Sequence, residues 1–341
     1  MPKSKVVILN WNGADCLRRY LPTVVAATPA GVGIVVADNG SSDDSLALLE
    51  QNFPTVERLS LDRNYGFAEG YNRALQQIEA DYYILLNSDV ETPAGWLDPL
   101  LRCLDEQPDV AACAPKLRAV AERDRFEYAG AAGGFIDWLG YPFCRGRILR
   151  SIEQDCGQYD DPCDAFWVSG AAFCCRAEVF HALGGFDGAF FAHMEEIDLC
   201  WRMQLAGWRV RIVPESTVYH YGGGTLRSDS PQKVYLNHRN NLSMLFKCAS
   251  TRQLWMAALL RPGLDQLAAA TYLLQGQVRN FWAVYRAWWS FLRSLGRLRE
   301  QRRALRPQRS AGAPKTIYRG SILWKYLCGK RTYRVLFRHK N

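Results

Sequence analysis

The sequence predicts an α/β domain built on a parallel sheet with helices over both faces, followed by a helical, basic extension. Three observations carry this. Short apolar runs alternate with helix-length stretches over the first ninety residues. The runs are apolar on both faces, as strands buried on both sides must be. Each stops abruptly at polar side chains, namely Asn10, Asp38 and the Asn87-Ser88-Asp89 triplet. Ligands of such sheets bind beyond the carboxyl ends of the strands, so these three stops are expected to converge on one edge.

Taken in order, VVILN (6–10) is a short β-branched strand, and a turn containing Gly13 leads to a helix near Leu17 to Ala27. GIVVADNGSSDDS (33–45) repeats the plan with a strand at 34–37 and a helix opening at SLALLEQN, capped by Ser42 or Asp43. YGFAEGYNRALQQIEA (65–80) reads as a third helix and YYILLN (82–87) as a third strand. Residues 110–165, with Gly130, Gly133 and Gly134, read as variable loops and a few strands shaping a substrate pocket. From 166 the pattern sharpens. Glu196 to Leu205 is helical and closes at Gly207, and WRVRIV (208–213) is an alternating strand.

The character changes near residue 246, which suggests a 1–245 catalytic domain and a 246–341 extension. In 278–293, Val278, Phe281, Trp282, Tyr285, Trp288, Trp289 and Leu292 recur at helical spacing, with Arg279, Arg286 and Arg293 on another face. Arg261, Asp265, Arg279 and Arg286 interrupt the apolar residues, so a crossing helix is not expected. A helix lying in the membrane interface suits the pattern better. Residues 293–341 carry fifteen Lys or Arg against one acidic residue, Glu300, for +14, which leaves −6 on the remaining 292 residues. A mildly acidic body with a basic tail fits an anionic membrane surface. The same tail raises nucleic-acid binding as a rival, but the Trp-rich helix and acidic body argue against it, and no nucleic acid is expected.

Composition places the chain among folded proteins, with 48% hydrophobic and 22% charged residues. Eleven cysteines without CxxC pairs imply neither a disulfide framework nor a zinc site, and a reducing, cytosolic compartment is expected. Adjacent Cys174 and Cys175 read as small core residues. MPKSKVVILN carries no long apolar leader.

Three stretches hold candidate chemistry. Asp38, at a strand end, can accept hydrogen bonds from a base imide or a ribose hydroxyl; an Asx-turn is the plainer reading, though Asp43 or Asp44 can fill that role. Asp89 can hold a hard divalent cation against a diphosphate, where each charge pair about 4 Å apart is worth roughly 4 kcal/mol at an effective dielectric of 20. The triplet alone suits a turn equally well. HMEEIDLCWR (193–202) crowds Glu195, Glu196 and Asp198 into four residues. Acidic residues suit a helix N-terminus, yet crowded carboxylates also raise one another's pKa, as a general base requires. His220, just before Gly222 to Gly224, is a candidate metal ligand or phosphate contact.

VVILNWNG, VVADNGSSDDS, NYGFAEGYNRAL, YILLNSDVETPAGWL, SGAAFCCRAEVFHALGGFDGAFFAHMEEIDLCWRMQLAGWRV and VYHYGGGTL occur in that order. Together, over about residues 5–245, they resemble the successive motifs of family-two glycosyltransferases, in the rhamnosyltransferase-like branch. The resemblance implies a GT-A fold with a Rossmann-like mixed sheet, a nucleotide-sugar donor, Mg²⁺ or Mn²⁺, and inversion at the anomeric carbon. It implies base and ribose contacts from Asn10, Trp11 and Asp38, and donor-site roles for Asn64, Gly66, Asn72 and Asn87. Asp89 matches the last Asp of the metal-binding DxD, with Asn87 in place of the first, and His220 matches a histidine near the diphosphate. Glu195–Glu196 stands where the family carries Glu-Asp, so the base is Glu196 with Glu195 in competition. Gly184 to Asp187, including Gly185, Phe186 and Asp187, resembles the acceptor side, with Asp198 nearby. The implied reaction moves a sugar from dTDP-rhamnose or a UDP-sugar to a glycan or lipid-linked acceptor, on the cytoplasmic face of the inner membrane, in surface-polysaccharide synthesis. A degenerate transferase that only binds nucleotide sugar is the rival. A nucleotidyltransferase shares the sheet but leaves the GGFD…EEID segment without a job.

Overall fold

The computed structural model describes residues 3–222, 230–307, 312 and 314–337. The chain opens with β1 (Ser4–Asn10), α1 (Ala14–Ala27), β2 (Gly33–Asp38), α2 (Ser45–Asn52), β3 (Glu57–Ser60), α3 (Gly66–Leu75) and β4 (Tyr82–Leu86). Then come β5 (Val90–Glu91), α4 (Asp98–Glu106) and the long β6 (Val110–Ala119). The alternation read from the sequence is the alternation present. All five residues of β4 are buried, because helices cover both faces of the sheet.

The few strands expected within 110–165 are present, set between loops. The segment forms β7 (Gly134–Asp137), β8 (Pro142–Cys144), β9 (Arg147–Ile148) and β10 (Ser151–Ile152), four strands of a second small sheet, and then β11 (Cys163–Asp164). The main sheet resumes with β12 (Ala172–Arg176), followed by α5 (Ala177–Ala182), α6 (Glu195–Leu205) and β13 (Arg209–His220). Its order is β11-β13-β6-β12-β4-β1-β2-β3, with β5 beside β13. The sheet is mixed. β4, β1, β2 and β3 run parallel, but β12 lies antiparallel to both β4 and β6. This is the mixed sheet that the resemblance implied; the apolar pattern alone suggested parallel strands, since a strand buried on both faces reads alike in either direction. Cys174 and Cys175 are fully buried in β12, and all eleven cysteines are free.

After β13 come α7 (Pro231–Cys248), α8 (Thr251–Leu274), α9 (Val278–Arg293), α10 (Leu295–Ala304), β14 (Ile317–Tyr318), α11 (Ile322–Leu327) and α12 (Tyr333–Phe337). The division at 245/246 falls inside α7. Lys247, on the last turn of α7, is buried with its Nζ 2.8 Å from both Asp187 and Asp198. β14 pairs in parallel with β7, completing the small sheet, and the Ile322 amide donates to Asp137 at 2.9 Å. The extension is therefore built into the body rather than appended to it.

α8 is turned inside out. Its inward residues include Gln253, Arg261 and Asp265, whereas Trp255, Leu259, Leu267 and Leu274 are 66–89% exposed. Arg261 donates to the Leu139 carbonyl at 2.8 Å and to Asn241, and Trp288 Nε1 donates to Asp265 at 3.0 Å. The Trp-rich side of α9 is split, which the sequence pattern did not distinguish. Phe281, Tyr285 and Trp288 pack against buried Val234 and Ala269, while Val278, Trp282, Trp289 and Leu292 face outward. Among the described residues, no helix is long and apolar enough to cross a membrane.

Candidate active site

The parallel register sets Asn10 of β1 beside Asp38 of β2. Asn10 Nδ2 donates to Asp38 Oδ1 at 3.1 Å and to Ser41 Oγ at 3.3 Å, and the Ser41 amide donates to Asp38 Oδ2 at 2.9 Å. Asp38 thus closes the turn after β2, three residues on, while the Asx-turn itself falls to Asp43, one of the two residues the sequence offered for it. Asp43 accepts the amides of Ala14 and Ser45, joining the starts of α1 and α2. Each Asp38 oxygen keeps a second lone pair. The Asn10 Oδ1 atom is buried without a partner. Trp11 is 44% exposed at the rim. A Cβ on Gly13 would come 2.4 Å from Asn10 Oδ1 and 3.7 Å from Ser88 Oγ, so the tips of β1 and β4 meet at this glycine.

Beyond β4, the β5–β13 pairing sets His220 beside Val90. His220 Nε2 lies 3.2 Å from Asp89 Oδ1, its Nδ1 faces Glu127 Oε2 at 3.4 Å, and the Asn87 amide nitrogen is 3.5 Å from Nε2. Burial alone would lower the imidazole pKa, but Asp89 and Glu127 overrule it and push it up to about 10. Among the described residues, no group of three or more His, Cys, Asp or Glu can hold a metal unaided. One carboxylate and one imidazole, with Glu127 orienting the far ring nitrogen, would still fit a divalent cation that displaces the Nε2 proton and whose shell a diphosphate completes.

The loop before α6 is strained. Phe191, His193 and Met194 all have positive φ, at 66°, 69° and 73°. Asn240 of α7 holds it, donating to the carbonyls of Phe190, Ala192 and His193 at 3.0, 2.9 and 2.7 Å. The Phe191 carbonyl accepts the amides of Phe67 and Ala68 at the start of α3. Gly66, at φ 78°, packs under the Phe191 ring, where a Cβ would come within 2.5 Å.

This loop delivers the acidic pair. Glu195 is buried, and burial with the adjacent Glu196 raises its pKa well above the usual carboxylate range. Glu196 is half-buried, and burial pushes its pKa up to about 7 against two backbone hydrogen bonds that oppose the shift. Neither Oε2 has a partner. A Cβ on Gly170 would lie 4.0 Å from Glu196 Cβ, and the next residue, Ala171, accepts the amide of Asn87 at 3.0 Å. The acidic pair therefore sits beside the β4 exit and does not project into bulk solvent.

Other predicted positions serve the scaffold. Asn64 Oδ1 accepts the Gly66 amide at 2.8 Å and Asn39 Nδ2 at 3.2 Å, closing the turn before α3. Asn72 spends its amide on both backbone groups of Phe186, at 2.8 and 2.9 Å. Phe186 is in the core, and Gly185 lies against Asn72 with φ 66°. Asp187 is gripped by Lys247, Arg297 and Gln301, and the Lys247 and Arg297 cations hold its carboxyl well below the usual range in spite of burial. Asp198 is fully buried between Arg202 and Lys247. Asn64 Oδ1, Asn72, Asp187 and Asp198 thus hold partners within the protein, while the donor-contact roles of Asn64, Gly66 and Asn72 and the acceptor-side roles of Gly185, Phe186, Asp187 and Asp198 remain expectations. A cavity of about 590 Å³ does open behind the Gly184–Gly188 loop, but none of Asp38, Asp89, Glu195 or Glu196 lines it. Of the Gly222–Gly224 run, only Gly222 falls within the described residues.

Sequence reasoning missed Glu127 and Asn240. The polar run Asn237 to Asn241 inside a helix was the available signal, since side chains that disfavour helix interiors usually hold a tertiary contact there.

Residues 5–164 match the sequence profile of glycosyl transferase family 2. The chain is 27% identical over 274 residues to the N-acetylglucosaminyl-diphospho-decaprenol L-rhamnosyltransferase of Mycobacterium tuberculosis, covering 75% of this chain and 87% of that protein. It is 27% identical to the O-antigen biosynthesis protein RfbC of Myxococcus xanthus, covering 69% of this chain but 18% of that longer protein. Among solved structures, GalNAc-T7 with UDP, GalNAc and Mn²⁺ aligns at TM-score 0.56 and 19% identity, over 72% of this chain and 48% of that one. TarS 1–349 of S. aureus aligns at 0.53 and 15% identity, over 96% and 92%. At such identities the structural likeness speaks to the fold.

Proposed function

The chain belongs to glycosyl transferase family 2, with the GT-A fold, and on that premise we propose that it moves a sugar, with inversion, from a nucleotide diphosphate to a hydroxyl of a glycan or lipid-linked acceptor. The observation that carries the reading is the placement of Glu196. It is the half-buried member of a buried acidic pair, its pKa near neutrality, beside the β4 exit that ends in Asp89. A base must reach solvent-delivered substrate, which favours Glu196 over the enclosed Glu195.

In this reading Glu196 takes the proton from the acceptor hydroxyl as its oxygen attacks the anomeric carbon from the face opposite the nucleotide. Asn10 Oδ1 and the spare lone pairs of Asp38 receive donors of the base or ribose, and Trp11 packs at the rim. Asp89 and His220 hold Mg²⁺ or Mn²⁺, which when bound supplies positive charge against the diphosphate. Glu127 orients His220, and Asn240 fixes the loop that aims Glu196. The rhamnosyltransferase relative makes dTDP-rhamnose the first donor to try, with UDP-sugars next.

The outward apolar residues of α8, together with the basic charge of residues 293–341, suit the surface of an anionic membrane. We read it as a cytoplasmic, membrane-peripheral enzyme of surface-polysaccharide synthesis, which the outer face of α8 and the rhamnosyltransferase relative support. A thermal-shift panel of dTDP-, UDP- and GDP-sugars with Mn²⁺ identifies the donor, and NMR of the product then reads the anomeric configuration. Retention would remove the single-displacement scheme; no shift with any nucleotide sugar would remove the donor reading.

A further inference from the structure

Arg147, in the small sheet, is a buried cation without an anion. The residue is 5% exposed, and among the described residues it makes no ion pair with a carboxylate. Its Nη1 donates to the Leu149 carbonyl at 3.3 Å and its Nη2 to Cys144 Sγ, a weak acceptor, at 3.2 Å. Its Nε is buried and unpartnered. Neighbouring Arg145 shows the contrast, being paired with Asp161 at 3.1 Å. Glu127, the carboxylate whose field reaches Arg147, is committed to His220 and the Ala129 amide. Desolvating a guanidinium this way costs several kcal/mol unless something supplies negative charge.

The surroundings say where that charge comes from. The Arg147 guanidinium lies 4.4 Å from the centre of the Tyr128 ring, and Tyr128 is 52% exposed. One face of the ring is therefore backed by a cation while the side chain stays open to solvent. Tyr128 directly follows Glu127, whose Oε2 is 3.4 Å from His220 Nδ1, and the Cys144 thiol that accepts from Arg147 feels both Glu127 and Glu196, so the pair lies on the side of the metal-side histidine and the base. Tyr272 of α8 feels Arg150 and Tyr128, so the same corner adjoins the helix whose outer face is apolar. The nucleotide-side groups Asn10 and Asp38 belong to strands β1 and β2 of the other sheet.

The geometry points to an acceptor subsite in which Arg147, with the Tyr128 ring it supports, binds a phosphate or diphosphate group carried by the acceptor. This rests on the transferase reading above. Bidentate pairing to an oxyanion is what a guanidinium with free N–H groups offers, and an exposed aromatic face suits the attached sugar.

Calorimetry on the full chain tests it, with nucleoside diphosphate and Mn²⁺ saturating the donor site so that the probe cannot enter there. Wild type is expected to bind farnesyl diphosphate ~10-fold or more tighter than farnesol, and Arg147→Met to erase the preference. Arg147→Lys is expected to keep part of it. Nucleotide–Mn²⁺ affinity stays unchanged in both variants, and the melting temperature of Arg147→Met does not fall, because a buried unpaired charge has been removed. A preference that survives Arg147→Met overturns the subsite, as does loss of nucleotide affinity or of thermal stability in parallel with it. A wild type that binds no nucleotide, by contrast, would indict the transferase reading.

Discussion

The side-chain amide of Asn240 lies 2.7 Å from the carbonyl of His193, two residues ahead of the acidic pair, and the same amide reaches the carbonyls of Phe190 and Ala192. The two N–H groups of a single α7 side chain are thus shared among three carbonyls, that of Phe190 also accepting from Arg239, of a loop in which Phe191, His193 and Met194 hold left-handed backbone conformations. Such strain persists only when surrounding groups over-determine it. Asn240→Ala is expected to cost about 1–3 kcal/mol of stability through unsatisfied buried carbonyls. It should also lower kcat more than it raises donor KM, because the base loses its aim while the nucleotide groups stay in place. Equal effects on both constants would mean that Asn240 supports the fold alone.

Glu196→Gln keeps the shape and removes the base. Transfer is expected to fall by roughly 10²–10⁴-fold with nucleotide affinity nearly intact. Glu195→Gln should cost far less, since that side chain is enclosed. Near wild-type turnover in Glu196→Gln refutes the assignment.

The pH dependence follows from the same carboxyl. With a pKa of about 7, Glu196 is protonated and idle as a base below neutrality, so kcat/KM is expected to climb through about pH 7. The stability effect has the opposite sign. A folded-state pKa raised above the unfolded value favours the protonated form in the fold. Its contribution is therefore full below the unfolded carboxyl value, about pH 4.3, and is lost as pH rises through about 7. Melting curves should show that loss in wild type and less of it in Glu196→Gln.

Asp89→Ala is expected to weaken nucleotide binding with Mn²⁺ present, and to change it little in chelator. His220→Ala should follow the same pattern. Equal affinity with and without metal in wild type would dismiss the cation from the site.

Leu259→Glu with Leu274→Glu puts charge on the outer face of α8, where no packing is disturbed. Each apolar side chain taken into a membrane surface contributes about 1.5–3 kcal/mol. The double variant should therefore lose most of its binding to vesicles containing anionic lipid, with an unchanged melting temperature. Retained vesicle binding would move the contact elsewhere.

Much of the fold was legible because the apolar runs and helix-length stretches are strong local signals. VVILN, the GIVVAD strand, YYILL and the helix at 278–293 all form where the pattern placed them. Strand direction was not legible in the apolar pattern, since β12 is as apolar as β4 and β6, to which it runs antiparallel; only the family resemblance implied a mixed sheet. At the site, Asp89, His220 and the Glu195–Glu196 pair come within reach of the β4 exit. Asn72 and Asp187 do not, because a polar residue bonded to backbone and one facing ligand look the same in a sequence. What separates them is the partner, and Asp187 finds Lys247 only after sixty residues of intervening chain have folded.

The Asp137 carboxylate waits for an amide 185 residues downstream, at Ile322, and β14 arrives just ahead of it to edge the sheet that carries Arg147. During synthesis, β7 keeps an open edge and Asp137 lacks its Ile322 partner until residues 317–322 have left the ribosome. A premature stop anywhere before β14 would therefore leave the small sheet one strand short, however well the first half had folded.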